Sequence, residues 1–276
     1  MRLEFSTMHG AGNDFVVIGT PRGELRLEAE QVRQLAHRHF GVGCDQLLVV
    51  SPGPAGEADI SMEIFNADGG EAEQCGNGVR CAAVFARDAG LVEADDVRIL
   101  VAGALIRTQI QGDGQVTADM GVPVFDPARV PFLAAAASPA YALTVGGESL
   151  AVGVVSMGNP HAVLRVPDAG QAPVAALGPA IQTSKRFPQG VNVGFVETVG
   201  RTHIRLRVFE RGVGETLACG SGACAAAVIG RLQGHLEDMV EVDLPGGRLT
   251  VSWSGEGEPV WMSGPTARVF EGNIEL

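Results

Sequence analysis

The chain has 276 residues, 46% of them apolar, enough for one large core or two of ordinary size. Its formal charge is -12 and its 20 Lys and Arg residues are scattered, which excludes the basic patch that a nucleic acid or an anionic membrane would need. No apolar run approaches the roughly 18 residues of a membrane span, and the first residues lack the basic head and apolar stretch of a signal peptide, so a cytoplasmic protein is expected.

Short Val-, Ile- and Leu-rich segments between Gly and Pro turns predict strands at Arg2 to Met8, Phe15 to Ile18, Leu47 to Val50, Ile60 to Phe65 and Arg98 to Val101. Helical periodicity predicts helices at Glu28 to Arg38, Val79 to Asp88, Val174 to Gln182 and Ala223 to Gln233, with Gly90 and Gly234 just beyond the second and fourth. The class is therefore α+β with many strands. Gly121 to Ser138, with Pro123, Pro127 and Pro131, reads as a connection between two halves, and Thr266 to Ile274 as a strand that returns to the first half. The expected division is 1–120 with 265–276, and 121–264.

An internal repeat changes the reading. Residues 62–84, MEIFNADGGEAEQCGNGVRCAAV, align without a gap on 206–228, LRVFERGVGETLACGSGACAAAV, and nine of the 23 pairs are identical. Cys75 falls on Cys219 and Gly76 on Gly220, always 144 residues apart, while Gly12-Asn13 and Gly158-Asn159, and Gln46 and Asn192, stand 146 apart. The two halves read as copies of one domain. The five cysteines lack the C-x-x-C spacing of zinc or redox pairs, and Cys44, Cys81 and Cys224 read as small buried residues.

In each copy a strand ends at Phe, a Gly-containing loop follows, and Cys-Gly-x-Gly opens a helix of small residues. Unpartnered N–H groups at such a start suit a carboxylate, and the helix field is expected to lower the pKa of the thiols of Cys75 and Cys219. Inverting a stereocentre by proton transfer needs a base on one face and an acid on the other, which a duplicated domain supplies. The carbanion would be stabilised through the carboxylate by fixed donors, with no cofactor and no metal. No dinucleotide fingerprint is present, since Phe15, Gln46 and Cys81 stand where its third glycine would be.

These motifs resemble the diaminopimelate epimerase family over essentially the whole chain. The first half carries H-G-x-G-N-D-F (His9 to Phe15), G-x-G-x-D-Q (Gly41 to Gln46), F-N-x-D-G (Phe65 to Gly69) and C-G-N-G-x-R (Cys75 to Arg80). The second carries G-N-P-H (Gly158 to His161), G-x-N-V (Gly190 to Val193) and E-R-G-x-G-E-T-x-A-C-G-S-G (Glu210 to Gly222). The resemblance implies an α/β roll of two pseudo-symmetric domains, each a curled, mostly antiparallel sheet around a central helix. It implies conversion of L,L-2,6-diaminopimelate to the meso isomer, for lysine and cell-wall precursor synthesis, with Cys75 and Cys219 as the acid/base pair. His161 and Glu210 are implied to assist the thiols. Asn13, Gln46, Asn66, Gly76, Asn77, Asn159, Asn192, Glu210, Arg211, Gly220 and Ser221 are implied substrate contacts.

The substrate would be the small-molecule partner, and a homodimer is left open. Arg211 suits a bidentate grip on the distal carboxylate, and Glu210 an ammonium. A proline or hydroxyproline racemase is the nearest alternative. It is disfavoured on the expectation that Glu210 and Arg211 would be buried without partners there. A thiol redox or metal-binding module is the alternative from another class.

Overall fold

The computed structural model describes residues 2–21, 25–72 and 75–276. The chain divides into one unit of Met1–Asp119 with Ser263–Leu276 and a second of Met120–Met262. In the first, the elements are β1 (Arg2–Gly10), β2 (Asn13–Gly19), α1 (Ala29–Ala36), β3 (Gln46–Pro52), β4 (Ile60–Asn66), α2 (Gly76–Asp88), β5 (Asp96–Val101), β6 (Ala104–Ile110) and β7 (Gln115–Asp119). In the second they are β8 (Tyr141–Val145), β9 (Glu148–Ser156), β10 (Pro160–Arg165), α3 (Val174–Gln182), β11 (Asn192–Gly200), β12 (His203–Glu210), β13 (Gly214–Thr216), α4 (Gly220–Leu232), β14 (Met239–Leu244) and β15 (Gly247–Trp253). β16 (Val260–Pro265) carries the chain from the second unit into the first, which β17 (Ala267–Glu275) completes.

Pairing in the two units follows one plan. In the first, β1 is antiparallel to β17 and β2, β2 is parallel to β3, β3 antiparallel to β4, β4 parallel to β5, and β5, β6 and β7 follow as antiparallel neighbours. In the second, β9 is antiparallel to β8 and β10, β10 parallel to β11, β11 antiparallel to β12, β12 parallel to β14, and β14 antiparallel to β15. Beside β1, β17 thus takes the place that β8 takes beside β9. The class is α+β, with mostly antiparallel pairing inside each unit.

Each curled sheet is covered on both faces, which explains its uninterrupted apolar runs. Alternate residues of β2 and β3, Val16, Ile18, Leu47 and Val49, join Val32 and Leu35 of α1 in one cluster. Phe15 and Leu48 point the other way, toward Gly78 of α2. α2 touches every strand from β1 to β7, so the sheet wraps around it. In the second unit α3 covers one face through Val174 and Ile181, and α4 contacts β9, β10, β11, β12, β14 and β15.

Three predicted helix bounds are corrected. α2 and α4 begin at Gly76 and Gly220, three residues before the periodic stretches at Val79 and Ala223, because the Cys-Gly-x-Gly segments, with extended Cys75 and Cys219 at the N-cap, already belong to the helices. α1 stops at Ala36, not Arg38. There the His37 backbone is extended, and its Nδ1 accepts from the N–H groups of His39 and Phe40, each at 3.1 Å.

Candidate active site

In the first unit the amide residues stand at strand ends that register brings together. Ala11 and Gly12, both at positive φ, turn the chain between the paired residues Gly10 and Asn13. Gly12 suits this two-residue hairpin because it takes that conformation without strain. Parallel pairing of Phe15 with Gln46 and antiparallel pairing of Gln46 with Asn66 then place Asn13, Gln46 and Asn66 at one edge. Gln46 Nε2 donates to Asn66 Oδ1 at 2.9 Å.

Cys75 caps α2. Its backbone is extended, and the Gly78 N–H donates to its sulfur at 3.3 Å. Asn13 Oδ1 lies 3.7 Å from the same sulfur and accepts from Asn77 Nδ2 at 3.4 Å. A Cβ at Gly78 would lie 3.4 Å from the sulfur and 3.2 Å from Leu48, so glycine keeps the space beside the thiol open.

The second unit repeats this frame with other chemistry. Cys219 caps α4, also with extended backbone, and its sulfur lies 3.6 Å from Ser221 Oγ. A Cβ at Gly222 would lie 3.3 Å from that sulfur, matching Gly78. His161, buried in β10 and paired with Asn192, has its Nε2 2.8 Å from Asn159 Oδ1. With an amide oxygen facing it, Nε2 carries the proton. Burial, then the charge of Arg211, lowers the imidazole pKa to about 3, so His161 is neutral near pH 7. Buried Asn192 accepts from the Arg211 backbone N–H at 2.8 Å.

The expected lowering of both thiol pKa values is corrected at Cys219. Burial, then the negative charge of Glu210, raises the pKa of that thiol well above 9.0, outweighing the hydrogen bonds of Ser221 and Gly222. Two opposing effects meet at this helix start, and desolvation wins.

The expectation that Glu210 and Arg211 would be buried without partners is also corrected. Arg211 is exposed and donates through Nη1 to the Gln189 carbonyl at 3.0 Å, while half-buried Glu210 accepts the Thr216 hydroxyl at Oε1. Both have partners within the chain, so unpaired burial does not separate diaminopimelate from proline as substrate. Residues that the sequence reading did not single out also belong here. Thr216 holds Glu210, Asp45 accepts from Asn13 Nδ2 at 3.2 Å, and fully buried Arg80 donates to Asn77 Oδ1 at 2.9 Å. All three stand inside motifs quoted above, Asp45 in G-x-G-x-D-Q, Arg80 in C-G-N-G-x-R and Thr216 in E-R-G-x-G-E-T-x-A-C-G-S-G.

The fold is that of solved structures of diverse function. A PhzF-family phenazine biosynthesis protein of Bacillus anthracis matches with a TM-score of 0.72 at 18% identity, covering 100% of both chains. A hydroxyproline epimerase from Agrobacterium vitis, with trans-4-hydroxy-L-proline bound, matches with a TM-score of 0.71 at 18% identity, over 99% of this chain and 92% of that one. Identity this low carries the fold alone. The sequence model described as diaminopimelate epimerase matches residues 5–125 and 153–269. A diaminopimelate epimerase of Thioalkalivibrio sulfidiphilus is 56% identical over 278 residues, covering 100% of both chains. Matches of this extent define the class, an isomerase. Within it, the chain belongs to the diaminopimelate epimerase family.

Proposed function

We propose that the chain converts L,L-2,6-diaminopimelate to the meso isomer, with Cys75 and Cys219 as the proton acceptor and donor at one α-carbon. The observation that carries this reading is that both cysteines occupy the N-cap position of 13-residue helices at repeat-equivalent places. One thiolate removes the α-proton while the other thiol delivers a proton to the opposite face, so the sulfurs exchange protonation states in each turnover. The backbone N–H groups at Gly76-Asn77 and Gly220-Ser221 are donors for the α-carboxylate, where negative charge develops. Such stabilisation needs no metal or cofactor.

The remaining site residues divide the two ends of the substrate. Arg211 reaches the distal carboxylate and Glu210 an ammonium, with the amides of Asn13, Gln46, Asn66, Asn159 and Asn192 filling the other contacts. His161 and Glu210 assist the thiols. Reduced cysteines suit the cytoplasm. A homodimer belongs to the same reading, and exposed Val269 and Phe270 of β17 are apolar surface for it to cover, which light scattering on the purified chain tests.

The deciding experiment is turnover of L,L-diaminopimelate with a chelator present and no added cofactor, in deuterated water and sampled early. Two thiols predict deuterium in the product while recovered substrate stays mostly protonated. Cys75→Ala and Cys219→Ala are each expected to abolish it. Equal early labelling of substrate and product, or an active variant of either cysteine, overturns the assignment.

A further inference from the structure

Asn13 and Asn159 occupy equivalent places, yet their amides are held by opposite ends. In the second unit the His161 ring takes Oδ1 of Asn159, leaving its amide nitrogen for other partners. In the first unit Asp45 Oδ2 takes Nδ2 of Asn13. A carboxylate of this kind only accepts, so the Asn13 nitrogen has to face Asp45 and its oxygen the Cys75 sulfur.

The hold on Asn13 is built from both sides. Asp45 is fixed by Arg38, whose Nη2 donates to Asp45 Oδ1 at 2.7 Å. The same guanidinium grips Asp14 through Nη1 and Nη2, both at 2.8 Å. Backbone N–H groups close the loop, Asp45 onto Asp14 Oδ1 at 2.8 Å and Asp14 onto Asp45 Oδ2 at 3.3 Å. Burial pushes the Asp14 carboxyl up, but the hydrogen bonds and charge of Arg38, with help from Asp45, leave it below the usual carboxylate value. From the other side, Arg80 Nη2 fixes Asn77 Oδ1, so Asn77 turns its nitrogen toward Asn13 Oδ1. Reversing the Asn13 amide would set nitrogen against nitrogen and oxygen against carboxylate at once.

We propose that Arg38, Asp14 and Asp45, with Arg80 acting through Asn77, are positioning residues that lock the Asn13 amide with its oxygen toward Cys75. An oxygen there accepts the S–H proton, whereas a reversed amide would donate to the thiolate and hold it in that form. The lock therefore keeps Cys75 able to take up a proton in one half of each turnover. Nothing comparable stands in the second unit, where the positions of Asp14, Asp45 and Arg80 are filled by Pro160, Val191 and Cys224. Nor does the cluster serve mainly for stability, since the side chains of Arg38, Asp45 and Asp14 are 54%, 48% and 37% exposed and such pairs contribute little.

The inference rests on the reading of Cys75 as a proton-transfer group, and its test separates the two. Asp45→Val puts into the first half the residue of the second, whereas Asp45→Glu keeps a carboxylate with one oxygen for Arg38 and one for Asn13 Nδ2. Cys75 alkylation by iodoacetamide is followed against pH by mass mapping, together with kcat for L,L-diaminopimelate. Asp45→Val is expected to lower the alkylation midpoint by about one pH unit and kcat by about tenfold. Asp45→Glu is expected to restore most of both. An unchanged midpoint in Asp45→Val, or equal impairment in the two variants, overturns the lock. Full turnover in Cys75→Ala instead overturns the reading on which it stands.

Discussion

Phe15 and His161 stand at the same point of the repeat, each paired in parallel register with the amide residue that opens the next strand, Gln46 or Asn192. The first is an apolar residue over α2 and the second a buried imidazole bonded to Asn159. Duplication has kept the frame and changed the chemistry.

That imidazole links stability to pH. Folded, His161 has a pKa near 3, set first by burial and then by Arg211, against 6.5 without those effects. The unfolded chain binds the proton first as pH falls, so the contribution of neutral burial is whole above pH 6.5 and declines toward pH 3. Between those values the wild type should lose up to about 1.4 kcal/mol per pH unit relative to His161→Gln. Urea unfolding at pH 7, 6, 5 and 4 measures this. Parallel stability profiles would show that the ring is protonated in the folded chain.

Arg211→Lys separates binding from folding. The guanidinium is exposed and donates to the Gln189 carbonyl at 3.0 Å, a surface contact worth little to the fold, so the thermal midpoint should barely move. A lysine loses the planar two-point grip on a carboxylate, and kcat/KM for diaminopimelate should fall about tenfold or more. Unchanged kinetics would place the distal grip elsewhere.

Gly41→Ala should act through space alone. A Cβ there would lie 1.9 Å from the Gln34 carbonyl oxygen and 2.7 Å from that of Leu35, backbone that cannot yield cheaply. We expect a loss of roughly 2 kcal/mol or more, read by urea unfolding, because the turn after α1 has to move. A stable variant would mean that this turn shifts without cost.

Much of this was legible in the sequence because its signals are local or repeated. Strand positions follow from β-branched runs, the α3 bounds from periodicity, and the paired helix starts from two stretches of Cys-Gly-x-Gly. What was not legible depends on neighbours distant in sequence. Asp14 and Asp45 lie within quoted motifs, but their joint hold on Asn13 exists only because β2 and β3 pair in parallel with Phe15 opposite Gln46. The upward shift at Cys219 is not legible for the same reason. A helix start is visible in sequence, whereas the depth at which the fold buries it is not.

That depth yields the last prediction, a ranking of the thiols. Cys75 is half-buried, whereas Cys219 is only 5% exposed and faces the charge of Glu210. Cys44 and Cys81 are buried thiols pushed to about 12, first by desolvation. Brief iodoacetamide treatment near pH 8, mapped by mass spectrometry, should therefore modify Cys75 first, Cys219 more slowly, and Cys44 and Cys81 least. Glu210→Gln removes the like charge but keeps a carbonyl for the Thr216 hydroxyl, so the local structure is retained. It should speed alkylation of Cys219 and leave Cys75 unchanged. Turnover should nevertheless fall, because Glu210 is assigned to the proton transfer as well as to the electrostatics of the resting thiol. Slower or unaltered alkylation of Cys219 in Glu210→Gln would show that burial alone holds the proton on that sulfur.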